Sequence, residues 1–184
     1  MKIAARSVLL VATSLFAAVS LLAGASAYAG SAAPTTGSTC VLNAHGVFAN
    51  AVDPGGINLP VRDTLAMTGS VTCVDATGAP VAAGTFERTV TMPATECTGD
   101  EHGDTSTTTV HWTDNTTSTF RFDKIDVVKV NGTASLVVTG TVTPDSTRFA
   151  SDTINAVGTS TGAGCGTPAG ETAVDSTLVL RLTH

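Results

Sequence analysis

Hydrophobic and polar positions follow two patterns along this chain. Near its start, Lys2 and Arg6 precede an apolar run from Val8 to Leu22. From Cys40 onward apolar and polar residues alternate instead. Ala134, Leu136, Val138, Gly140 and Val142 fall on one face of an extended segment, with Ser135, Thr139, Thr141 and Thr143 mostly opposite. Leu178, Leu180 and Leu182 alternate with Val179, Arg181 and Thr183, Val110 and Trp112 with Thr109, His111 and Thr113, and Phe120 and Phe122 flank Arg121. Period two gives a strand one dry face and one wet face. No segment holds a 3.6-residue apolar period, and β-branched Thr and Val fit a pleated surface better than a helix.

Turn signals separate these runs. Asn131-Gly132 suits a type I′ hairpin, which needs two residues tolerant of positive φ. Asp114-Asn115, Pro144-Asp145 and Asp53-Pro54-Gly55-Gly56 mark further turns. Eight or nine strands are predicted, near 40–48, 64–74, 81–92, 106–113, 117–123, 125–131, 133–143, 148–158 and 173–183. Many short strands at this spacing predict an all-β, antiparallel β-sandwich, immunoglobulin-like or related, with a closed β-barrel as the alternative.

The opening run changes the setting in which that fold is read. It ends at Ala27-Tyr28-Ala29, a small-x-small pattern, so residues 1–29 are expected to be a cleaved signal peptide and the protein to be secreted. The run is about 15 residues, short of the roughly 20 that span a bilayer, so no membrane anchor is expected. Residues 30–39 are small, polar and aperiodic, a flexible lead-in to a single domain over 40–184. Without Lys2 and Arg6 the mature chain carries 7 basic and 15 acidic residues, net charge −8. Such a surface repels phosphate backbones and makes nucleic acid a poor partner. Cys40, Cys73, Cys97 and Cys165 all fall in the mature part, and an even count in an oxidising compartment reads as two disulfides. Of the three connectivities, Cys40 with Cys73 and Cys97 with Cys165 is preferred.

Candidate chemistry is sparse. No Gly-x-Ser-x-Gly elbow is present, and His111, beside Trp112, falls on the opposite face of its strand from that ring. Asp100, His102 and Asp104, in the densest acidic cluster, are the weak candidates for a metal site, with His45 as a possible further ligand. Read as an EF-hand the cluster fails, because its glycine comes too early and His111 stands where the bidentate Glu belongs; a solvated loop is the plainer reading. Glu87, Glu96 and Asp123 have no spacing that asks for a glycosidase pair. Trp112 reads as a core residue rather than a sugar platform. The Asn-x-Thr triplets at Asn115 and Asn131 sit in tight hairpins.

The run Trp112-Thr113-Asp114-Asn115-Thr116-Thr117-Ser118 resembles the Trp-x-Asp-Gly-x-x-Ser hairpin of small secreted β-sandwich proteins common in actinomycetes, a largely uncharacterised family. Gly140-Thr141-Val142 and the later Phe149-Ala150 resemble its Gly-x-Val and Phe-x-Gly strand pair, with Asn115 and Ser151 standing where glycine is usual. The resemblance implies a fold and an exported life and supplies no active site. In its acidity, its Ala, Thr, Gly and Val content and its four cysteines the chain is also similar to the antibiotic-carrying chromoprotein apoproteins. These readings lead to a non-catalytic extracellular module without cofactor that binds an unidentified ligand or protein through its loops. The competitors are a small-molecule carrier with a cleft near Phe86, Phe120 and Phe122, a metal-dependent hydrolase built on His102 and Asp104, and a self-associating envelope protein.

Overall fold

The alternation builds eight antiparallel strands in a computed structural model that describes residues 37–56 and 60–184. They are β1 (Ser38–Val52), β2 (Val61–Val74), β3 (Pro80–Thr95), β4 (Gly99–Trp112), β5 (Thr117–Val130), β6 (Thr133–Val142), β7 (Thr153–Gly162) and β8 (Glu171–Thr183). Each pairs with the next, and β8 returns to pair with β1 from Ser38↔Leu182 to Val47↔Ala173, closing an up-and-down barrel. The expected sandwich is therefore corrected to the barrel held as its alternative. Period two specifies an inward and an outward face; it does not say whether the inward faces meet as two sheets or as one sheet closed on itself. The β1–β8 ladder decides, and it joins the two ends of the domain. The expected signal peptide and residues 30–36 of the expected lead-in lie outside the described residues. Ser38 and Thr39, assigned to that lead-in, already pair with β8.

Two further expectations change for one reason, the β-bulge. Residues 117–123 and 125–131 form the single strand β5, whose register against β6 shifts between Phe122 and Lys124. Even-numbered Ser118, Phe120 and Phe122 turn inward before the bulge and odd-numbered Ile125 and Val127 after it, so a break in parity looked like a break in the strand. The acidic cluster, read as a loop, likewise belongs to β4. Its register against β5 shifts between Glu101 and Asp104 and again between Asp104 and Ser106. The segment 148–152, expected to begin a strand, forms the turn that precedes β7.

The lower half of the barrel is filled. Cys40, Leu42, Val71, Phe86, Val110, Phe120, Ile154 and Leu180 are all buried in one cluster with Trp112. Gly69 leaves the space that the Phe86 ring occupies, since a Cβ there would stand 2.5 Å from it. The disulfide Cys40–Cys73 joins directly opposed residues of β1 and β2 in this layer.

The Trp112–Ser118 hairpin corks the lower end. Asn115 (φ 65°) takes the left-handed turn position. Trp112 Nε1 donates to Ser118 Oγ at 2.9 Å, and Ser118 Oγ in turn donates to the Arg148 carbonyl at 2.9 Å. Phe149 packs edge-on against the indole at 5.8 Å between ring centroids. Arg148 Nη2 donates to Asp114 Oδ2 at 2.5 Å, and the Thr116 hydroxyl and Arg148 together hold the Asp114 carboxyl down to about 2. At the other end the Asn131-Gly132 turn has positive φ at both residues, 48° and 77°, as a type I′ hairpin requires.

Ser118 is 1% exposed, so Ser118→Ala leaves the indole N–H and the Arg148 carbonyl without their buried partner. The expected loss is about 1–3 kcal/mol, read from the urea midpoint at unchanged m-value.

Candidate functional site

Above the Phe86 and Val110 layer the inward rows become polar. β3 continues inward through Arg88, Val90 and Met92, and β4 upward through Thr108, Ser106 and Asp104. β5 ends its inward row at Lys129, and Ser160 and Ser176 face each other from β7 and β8 at 2.9 Å between their Oγ atoms. A cavity of about 210 Å³ occupies this upper half. Leu65, Met67, Val90, Ile125, Leu136 and Val174 are part of its apolar wall.

The upper opening is covered by its own connections. Cys97 N–H donates to Asp53 Oδ2 at 2.6 Å, and the Cys97 carbonyl accepts from Gly132 N–H at 3.1 Å. Gly162 N–H donates to the Gly132 carbonyl, Gly55 N–H to the Pro168 carbonyl, and Asn131 N–H to Thr98 Oγ1. The disulfide Cys97–Cys165 ties the β3–β4 connection to the β7–β8 connection. Every loop at this end is thereby joined to another, and Cys97, Asp53 and Glu171 are buried beneath the join.

The side wall, by contrast, is interrupted. β3 and β4 are joined by three residues, yet their ladder holds only at Gly84↔Trp112, Thr85↔His111 and Phe86↔Val110, the end remote from that connection. Above Phe86 the two strands run without a shared ladder, and the cavity reaches Thr91 and Thr105, outward-facing residues on either side of the gap. The gap is a window in the barrel wall. Its lower sill is Arg88, which crosses from β3 so that Nη1 donates to Ser106 Oγ and, at 3.0 Å, to Thr108 Oγ1.

Charge inside the cavity is unevenly compensated. Lys129 Nζ and Glu101 Oε1 pair at 2.5 Å. Arg88 has no carboxylate within 4 Å among the described residues, and burial pulls its guanidinium down to about 10, still charged at neutral pH. Among the described residues its Nε has no hydrogen-bond partner, and neither has Thr95 Oγ1 on the same cavity wall. Burial pushes the Glu171 carboxyl up, and Asp53 adds to that, while Lys129 opposes it. Glu171 Oε2 lies 2.7 Å from Cys165 Sγ, a contact that suits a protonated acid because a disulfide sulfur can only accept.

The residues singled out from sequence fall elsewhere. Asp100 and His102 are exposed, His102 Nδ1 lying 3.4 Å from Asp126 Oδ1, whereas Asp104 turns toward the cavity. His45 faces solvent beside Asp175 at 2.8 Å. The four are not brought together. Phe86, Phe120 and Phe122 are buried in the lower core, so the expected cleft at those rings is corrected to a cavity one layer above them. Glu87 and Asp123 are exposed on the outer face and Glu96 lines the cavity. Sequence reasoning passed over Arg88 and Lys129. The signal was present in phase: Phe86-x-Arg88-x-Val90 and Ile125-x-Val127-x-Lys129 each put a cation on an inward row. No family model, no curated protein and no solved structure matches the chain.

The raised pKa of Glu171 has a signed consequence. The folded state holds this proton more tightly than the unfolded chain, so the stabilisation is full below the ordinary value of 4.5 and is lost as pH rises through the folded value. The Glu171→Gln variant lacks this dependence. Its thermal midpoint relative to wild type should therefore climb as pH is raised from 4 to 7; a constant difference would refute the assignment.

Proposed function

We propose that this protein is an exported carrier that encloses a small, largely apolar molecule in the upper half of its barrel. The observation that carries the reading is the 210 Å³ cavity itself, set between a packed base and a stapled cap, with a window between β3 and β4 for access. An engineered apolar cavity of about 150 Å³ takes benzene, so this one suits a ligand of about ten non-hydrogen atoms. Eight-stranded barrels have an interior just wide enough either to fill with side chains or to hold one such molecule. This chain does the first below Arg88 and leaves room for the second above it.

Export is supported by the residues themselves. The Lys2, Arg6 and Val8–Leu22 pattern ending at Ala27-Tyr28-Ala29 fits a secretory leader, and two disulfides suit an oxidising compartment. The proposed kinship with the small secreted actinomycete proteins rests on the Trp112–Ser118 hairpin, which here serves as the cork of a barrel. The carrier reading assigns the ligand no chemistry, only shelter from water.

Ala134 is buried on the cavity wall and can be enlarged inward. Calorimetric titration with 1-octanol should show one equivalent bound, with Kd on the order of 10–100 μM, and Ala134→Phe should weaken it at least tenfold. Failure of the wild type to bind either 1-octanol or its acid analogue octanoate, or 1-octanol binding indifferent to the added ring, would overturn the carrier reading.

A further inference from the structure

The cavity has a polarity of its own, and Arg88 sets it. Nη1 is committed to Ser106 and Thr108 across the window. The opposite edge of the guanidinium, Nε with Nη2, is the fork that pairs side-on with a carboxylate. Among the described residues Nη2 meets the thioether of Met67 at 3.5 Å, a weak acceptor, and Nε has no hydrogen-bond partner. We propose that Arg88 is the anchor of the carrier site, and that the natural ligand is a small apolar carboxylic acid held with its carboxylate on the Nε–Nη2 edge and its hydrocarbon body along the cavity above. This inference rests on the carrier reading and narrows it to one class of ligand.

Position and chemistry agree with that orientation. Arg88 is one inward step above Phe86 on β3, so it forms the floor of the cavity, and Val90, Ile125 and Leu136 line the space above it. A largely buried guanidinium with no anion beside it is disfavoured, and a bound carboxylate supplies a counter-charge where no protein acid pairs with Arg88 within 4 Å among the described residues. Asp104, the inward acid of β4 nearest Ser106, makes no ion pair with Arg88 within 4 Å among the described residues, and Glu101 beyond it is already paired with Lys129. Met67 stands against the free edge, and its flexible, unbranched side chain can turn aside at little cost.

The test compares ligands before it compares proteins. Octanoate and 1-octanol share a hydrocarbon body and differ in the head group, so calorimetry on the wild type at pH 7.5 measures the value of the carboxylate without any substitution. Octanoate should bind about tenfold or more tightly than 1-octanol, the worth of a charge-assisted pair. Arg88→Gln should bind the two ligands alike, having lost that preference; Arg88→Lys should retain part of it. Equal binding of the two ligands by the wild type would overturn the anchor while leaving the carrier reading in place. So would an octanoate preference that survives in Arg88→Gln. Failure of the wild type to bind either ligand would overturn both. The wild-type comparison stands even if a variant does not fold.

Discussion

Cys97 is where the upper half of the barrel is tied together. Its N–H is given to the Asp53 carboxylate, its carbonyl to Gly132 and its sulfur to Cys165, so one residue reaches all the other connections at that end. To hold that place, the β3–β4 connection must fold over the opening instead of continuing its own hairpin outward. The two strands cannot both follow it inward and stay in register, and their ladder stops after three pairs. The covered top, the open wall and the space between them follow from this one displacement.

The two ends of the barrel are held by different means. At the top the disulfide Cys97–Cys165 spans 68 residues, and constraining a loop of that length in the unfolded chain is worth about 4 kcal/mol. Below Arg88 the stability comes from packing, since Trp112, Phe149 and Phe120 fill the base and the Ser118 hydroxyl satisfies the indole.

What sequence conveyed was the face each residue would take. Leu178, Leu180 and Leu182, or Phe120 and Phe122, turn inward as their alternation requires, and the Asn131-Gly132 turn has the backbone its residues favour. What it did not convey depends on contacts distant along the chain. The choice of barrel over sandwich rests on Ser38 meeting Leu182. The bulges at Phe122–Lys124 and Glu101–Asp104 depend on register with a neighbouring strand, and each hid the continuity of a strand by reversing its parity. Arg88 was legible as a charge on an inward row, yet its meaning depended on a missing partner, and only the assembled wall shows which acids stand too far away.

The strictly sequential order of the strands also governs how such a chain can fold. Seven of the eight pairings join strands next to each other along the chain, so each can form as a local hairpin soon after its two halves are available. The eighth, β1 with β8, links Ser38 to Leu182 and must close the whole domain as a single loop. Its entropic cost falls on the last step, and relative contact order places barrels of this kind among the slow folders, in milliseconds to seconds. Until β1 and β8 meet, each presents an unpaired edge, so the interval before closure is when this chain is most exposed to pairing with another copy of itself.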